Sequence, residues 1–247
     1  MSSFITTPNL PEERISLAAA GNYPAIISAL HGMGIATVSL EDRHLPDEVS
    51  RHQDMLMCHT GGNKIFLSPD ISPLPLTAEG FSVQTAEKLL FYYPDDVKLN
   101  VAVSRDFFIY NPKTADRTLI NELLLSGRKG IEAKQGYTKC SVCFVTENAL
   151  ITEDPSIHRA LQNTDIHVLL ISKGDVLLSD AHYGFFGGAT GKIDSTTLAV
   201  TGSLRYHSDG DIIKDFCRTH GVEIKELTDG RITDIGGILP LKESSFC

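Results

Sequence analysis

The sequence predicts a single α/β domain made of five repeats of one strand–turn–strand–helix–strand unit. Three observations carry this reading. The same order of elements returns along the chain. The first and last half-units are complementary, so a ring closes when the C-terminal strands lie beside the N-terminal helix and strand. Glycine is plentiful, 20 of 247 residues, as short elements joined by tight turns require. Closure would remove exposed sheet edges and complete a core that one repeat cannot bury alone.

Residues 1–21 read as an arm with a short helical piece around 12–20. Pro24 suits the first turn of a helix running to about His31, stopped by Gly32 and Gly34. The β-branched alternation over 35–40 predicts the strand that follows. Residues 54–57 and 64–67 are paired strands about the turn 60–63, with a helix near 83–90 and a third strand near 98–101. Another unit begins at 107–110, with a helix over 115–125 and a strand near 130–133. The clearest unit has strands at 140–145 and 149–152. Asp154 is its helix N-cap, Pro155 takes the first helical position, and a third strand covers 166–171. The next runs from 183–186 through the glycine-rich turn 187–191 to a strand at 197–201. A helix over 210–219 with Ile212, Ile213 and Phe216 on one face and a strand at 222–227 complete it. Strands at 231–234 and 237–241 close the chain, leaving 22–243 for the repeats and 244–247 as a tail.

Composition limits the partners. The net charge is -9, so nucleic acid is not an expected partner, because phosphate binding needs a basic surface. Arg128, Lys129, Lys134 and Lys139 form the one dense basic stretch, read as a solvated face or a receptor for an anionic metabolite. Five cysteines at irregular spacing fit reduced thiols. Residues 1–11 lack a cationic segment followed by an apolar run, and no stretch reaches membrane-spanning length, which predicts a cytoplasmic protein without a membrane partner.

The motifs Gly136-Tyr137-Thr138-Lys139-Cys140, Ala149-Leu150-Ile151-Thr152-Glu153-Asp154, Gly184-Phe185-Phe186-Gly187-Gly188 and Asp234-Ile235-Gly236-Gly237-Ile238-Leu239-Pro240-Leu241 add to this order. With them the chain resembles the pentein fold, the five-bladed α/β propeller of guanidino-modifying enzymes, and within it an uncharacterised bacterial family, over about residues 30–243. The resemblance implies a central channel into which a Cys of the last blade, a His and acidic residues project. The last-blade segment 234–241 contains no Cys; the nearest is Cys247. The function expected is therefore a small-molecule site for a cationic, guanidine- or amine-like ligand. The alternative is a hydrolase acting on C–N bonds of amidine or guanidine compounds through a Cys nucleophile.

His52 and Asp54, two apart at a strand start, share one face there and suit a cation or proton transfer, or else cap the strand. Cys140 is a candidate nucleophile whose pKa Lys139 would lower, with His182 or His207 as acid–base partner; packing is the competing reading. Cys140 and Cys143 would face opposite sides of a strand, so no metal is predicted. Gly187 and Gly188 serve a tight turn or offer N–H groups to a ligand. The surrounding glycines match neither a P-loop nor a dinucleotide fingerprint, and no cofactor is predicted. Taking the repeats in phase, Asp54, Asp106, Cys140, His182 and Asp234 stand at comparable points and would form one polar cluster at the axis. The candidate catalytic residues are thus Cys140, His182 and Asp54. The candidate ligand-binding residues are His52, Asp106, Asp234, Lys139, Gly187, Gly188 and His207.

Overall fold

The computed structural model of the chain describes residues 2–178 and 183–244. Its elements run β1 (Ser2–Phe4), β2 (Ile15–Ala20), α1 (Pro24–Gly32), β3 (Ala36–Val38), α2 (Gln53–Leu56), β4 (Met57–Gly61), β5 (Lys64–Leu67), α3 (Leu74–Thr77) and β6 (Ser82–Thr85). They continue β7 (Ala102–Val103), β8 (Phe107–Tyr110), α4 (Arg117–Leu125), β9 (Lys129–Glu132), β10 (Cys143–Thr146), β11 (Ala149–Thr152), α5 (Pro155–Leu161) and β12 (His167–Leu170). The last are β13 (Thr190–Asp194), β14 (Thr197–Val200), α6 (Gly210–Thr219), β15 (Glu223–Glu226) and β16 (Ile238–Ser244).

These strands make five small sheets in the orders β1-β16-β2-β3, β4-β5-β6, β7-β8-β9, β10-β11-β12 and β13-β14-β15. In the last four, the first strand pairs antiparallel with the second and the second pairs parallel with the third, with a helix in the crossover. The first sheet follows the same rule once β16 is taken as its first strand: β16–β2 is antiparallel and β2–β3 parallel. Side-chain caps explain some helix starts. Asp116 accepts from Leu119 N, and Asp154 from Ser156 N and Ile157 N.

The apolar side chains show that the ring is closed. Leu17 and Val38 of the first unit pack with Ile65 and Leu67 of the second, and Phe66 of the second with Phe108 and Leu119 of the third. Ile109 joins Leu150 and Ile157 across the third seam, and Val145 joins Leu198 and Ile213 across the fourth. An open row of five units would stop there. A fifth shared core instead joins Ile193 and Ala199 of the last unit to Ile15, Ala18 and Leu30 of the first. No helix of the described residues is long and apolar enough to cross a membrane.

Several expectations need correction. The segment 12–20 is not helical: Ile15–Ala20 is an interior strand of its sheet, flanked by β16 and β3. Burial between two neighbours overrides the helical preference of its three alanines. In the second unit the helix is Leu74–Thr77, and the region 83–90 begins as β6, aligned parallel to β5. Residues 54–57 are mostly the helical turn α2 and 98–101 are not a strand. Residues 183–186 and 231–234 lie outside the named strands, with single bridges at Tyr183 and Thr233. The closing seam depends on Gly191 of β13, where an added Cβ would overlap Ile238 O across the junction. Gly191→Ala should therefore lower stability by about 2–4 kcal/mol, read as a fall in the urea midpoint.

Candidate functional site

The lead-in to the first strand of each unit turns toward the pseudo-five-fold axis, and there the lead-ins hydrogen-bond in a circle. Gly188 N donates to Cys140 O at 2.8 Å, and Gly237 N donates to Gly188 O at 2.7 Å. Asp54 N donates to Gly236 O at 3.1 Å. The third unit completes the circle with a side chain: Asn100 Nδ2 donates to Asp54 O at 3.0 Å, while Asn100 Oδ1 accepts from Lys139 N at 2.6 Å and Cys140 N at 3.2 Å. Asn100 Nδ2 also lies 3.0 Å from Cys140 Sγ.

Glycines set the tightness of this circle. Gly188 and Gly184 leave the room that Asp234 fills, and an added Cβ at either would overlap its carboxylate or Cβ. Gly236 adopts a φ of +76° against the backbone of His52, a conformation and an approach that both demand glycine. Asp234 is held by Phe185 N at 2.8 Å and Gly236 N at 3.0 Å, and its Oδ1 lies 3.5 Å from His52 Nδ1. His52, Asp54, Cys140 and Asp234 are each about 1% exposed.

The electrostatics of this cluster are those of a buried acidic site. Both carboxylate oxygens of Asp54 and Nε2 of His52 lack a hydrogen-bond partner among the described residues. Burial, then the charge of Asp234, raises the Asp54 carboxyl above its ordinary value. Burial raises the Cys140 thiol well above its usual range, and Asp54 and Asp234 push the same way. This overturns the expectation that Lys139 would make Cys140 a ready thiolate. Cys143 lies on β10 in the apolar seam with Val145, whereas Cys140 packs with Met55 and Val97, so the two do not converge. Tyr137 and Phe185 cover Cys140 and Met55, and Tyr93, Tyr137 and Phe185 stack at centroid distances of 5.9 and 5.7 Å.

Of the residues singled out by the sequence, His52, Asp54, Cys140, Asp234 and Gly188 meet at the axis. Gly187 lies against the carbonyls of Cys140 and Val142, and Lys139 is close to Gly237. Asp106 does not join them: it is exposed in the turn between β7 and β8, because the third unit's first strand precedes it. Asn100 holds the axial place. His207 is buried away from the cluster, its Nδ1 accepting from Asp209 N at 3.0 Å and its ring edge-on to Phe186. Burial lowers its pKa. His182 and Cys247 lie outside the described residues.

Sequence reasoning also missed Glu153, which directly follows β11 with both carboxylate oxygens buried and unpartnered among the described residues; burial pushes its pKa up to about 8. Its place in the Thr152-Glu153-Asp154 strand end was the available signal. Two small cavities lie near the axis, of about 20 and 10 Å³; Asp54 borders the first, and Asn9 and Lys139 line both. Asn9 belongs to the N-terminal segment, which crosses this end of the axis and is tied by Asn9 Nδ2 to Val103 O at 2.9 Å.

Residues 19–239 match the family described as "Family of unknown function (DUF6873)". The chain belongs to this family. No curated protein matches the DUF6873 chain in sequence. Solved structures do match it in fold. SxtG, an amidinotransferase of the saxitoxin biosynthetic pathway from Microseira wollei, aligns with a TM-score of 0.54 at 9% identity, covering 90% of this chain and 91% of that one. The inosamine-phosphate amidinotransferase StrB1 from Streptomyces griseus aligns with a TM-score of 0.58 at 10% identity, covering 99% and 98%. An agmatine deiminase from C. jejuni aligns with a TM-score of 0.53 at 8% identity, covering 92% and 91%. At such identities the likeness is one of fold, and this DUF6873 protein has the pentein fold.

Two expected outcomes test this description. Asn100→Ala strands three buried backbone groups and should cost about 3 kcal/mol or more in urea unfolding. Glu153 keeps its proton in the folded protein to about pH 8, whereas the unfolded chain releases it near the ordinary value of 4.5. Between those values the folded state binds more protons, so this group's contribution makes stability fall as pH rises. Glu153→Gln should flatten that fall, measured as urea midpoints across the interval.

Proposed function

We propose that this protein binds a small organic cation of guanidinium or amine type at its axis, without transforming it through a thiol. The observation that carries the reading is Asp54, buried with both carboxylate oxygens unpartnered among the described residues, beside Asp234 and His52. An ionised carboxylate in that setting is costly unless a cation or several donors answer it. A planar cation rich in N–H groups supplies both together. Binding such a cation also draws the proton off Asp54, so affinity should rise with pH while that carboxyl titrates. The shared fold with amidinotransferases and an agmatine deiminase supports the same ligand class by analogy. The small axial cavities leave no room for a guanidinium, so entry requires the Tyr137–Phe185 cover or the Asn9 segment to shift. Association is then slower than ordinary docking.

A second reading, a hydrolase acting on C–N bonds of amidine or guanidine compounds through Cys140, has one observation in its favour. Asn100 Nδ2 lies 3.0 Å from that sulfur, and Asp54 and Asp234 act on it electrostatically. Its thiol is nevertheless held strongly protonated, and segment 234–241 supplies no other Cys.

Calorimetric titration with guanidinium, agmatine, arginine and methylated arginines, run beside an assay for ammonia and ureido products, separates the readings. The expected result is saturable binding without product, weakened about tenfold or more by Asp54→Asn, as loss of a charge-assisted contact implies. Product that disappears in Cys140→Ala would establish the hydrolase. Absence of binding by every compound would sink the ligand class.

A further inference from the structure

The geometry points to a divalent-cation site of the zinc class at Asp42, His44 and Asp70, separate from the axis. Asp42 and His44 follow β3 in the first unit, and Asp70 follows β5 in the second. A ring nitrogen of His44 and one carboxylate oxygen from each aspartate lie within 4.8 Å of one another. An ion with metal–ligand distances of about 2.0–2.2 Å reaches all three after small rotations of the more exposed His44 and Asp70 side chains.

Two further observations distinguish this group from an ordinary acidic rim. Asp42 is only 2% exposed, and its Oδ2 is buried with no hydrogen-bond partner among the described residues. Its position is fixed: Asp42 N donates to Ser50 O at 2.8 Å, and Oδ1 accepts from His44 N at 2.9 Å and lies 3.0 Å from His44 Nδ1. A buried carboxylate with an unanswered oxygen draws in a cation. The protein already places one nearby, since Lys88 Nζ lies 2.8 Å from Asp70 Oδ2. A divalent ion would displace this ammonium and pin the rim of the first unit to that of the second.

The donor set selects the ion. One imidazole nitrogen with two carboxylate oxygens suits Zn²⁺ and its transition-metal neighbours, whereas Mg²⁺ and Ca²⁺ favour oxygen-only shells. Three protein ligands also leave a position for water, as an exposed site allows.

The test is calorimetric titration of tag-free protein with Zn²⁺, alongside the visible absorption of bound Co²⁺ and thermal unfolding with and without metal. One equivalent should bind, with a rise in Tm. His44→Ala and Asp70→Asn should each weaken binding at least about tenfold, more than outer-shell changes do at comparable sites. Lys88→Met should tighten binding by removing the competing ammonium. Asp42→Asn should abolish binding; should it fail to fold, the His44 and Asp70 variants carry the test, being more exposed. Binding that persists unchanged in those two variants would place the ion elsewhere and overturn the proposal. So would no binding at millimolar Zn²⁺, or a Lys88→Met protein with unaltered affinity.

Discussion

The circle of hydrogen bonds at the axis is the constraint on which the rest of the molecule depends. Five chain segments approach one line, and each brings backbone groups out of water that must find partners. Four supply the circle with backbone atoms. The third unit inserts Asn100, whose amide both donates and accepts and so spans the gap between Asp54 and Cys140. Once the lead-ins are joined, the apolar seams between units are brought into register around them. An amide at the axis therefore does structural work that a charged residue could not: an Asp there would have no N–H to offer Asp54 O.

The same circle explains why the acidic cluster is so closely buried. Glycine at 184, 188 and 236 lets backbone and the Asp234 carboxylate approach more closely than any side chain would permit. That closeness holds Asp234 with two backbone N–H groups and leaves Asp54 with none. Two chemically identical carboxyls thus have different characters, one satisfied by the fold and one left unanswered. Cys140 shares this environment, where neighbouring negative charge and burial both oppose a thiolate. Metal-free cysteine nucleophiles depend on the opposite arrangement.

Much of this architecture was legible in the sequence. The recurrence of strand, turn, strand, helix and strand, the Asp154-Pro155 cap and the complementary chain ends follow from local chemistry, and they hold. What misled was phase. The third unit opens with a strand of only two residues, Ala102–Val103, too short to register as a pattern, so the sequence pattern points to the next strand as the first and to Asp106 as the axial residue. Ile15–Ala20 carries alanines that favour a helix in isolation, and only its long-range pairing makes it a strand. Within the site, His52, Asp54 and Asp234 stood out as ionisable residues at unit junctions. Asn100 did not, because a lone amide beside a strand is common and its importance lies wholly in what it bridges.

The pairing of β2 with β16 has a consequence for how such a chain comes to be folded. Ile15–Ala20 is synthesised long before its antiparallel neighbour Ile238–Ser244. Until then one side of an apolar strand lacks its partner, and the core between the fifth and first units has no second half. The other four seams can assemble as the chain lengthens, but the ring closes only once β16 has been made. The interval before closure is when the nascent protein most needs protection from pairing with a neighbour.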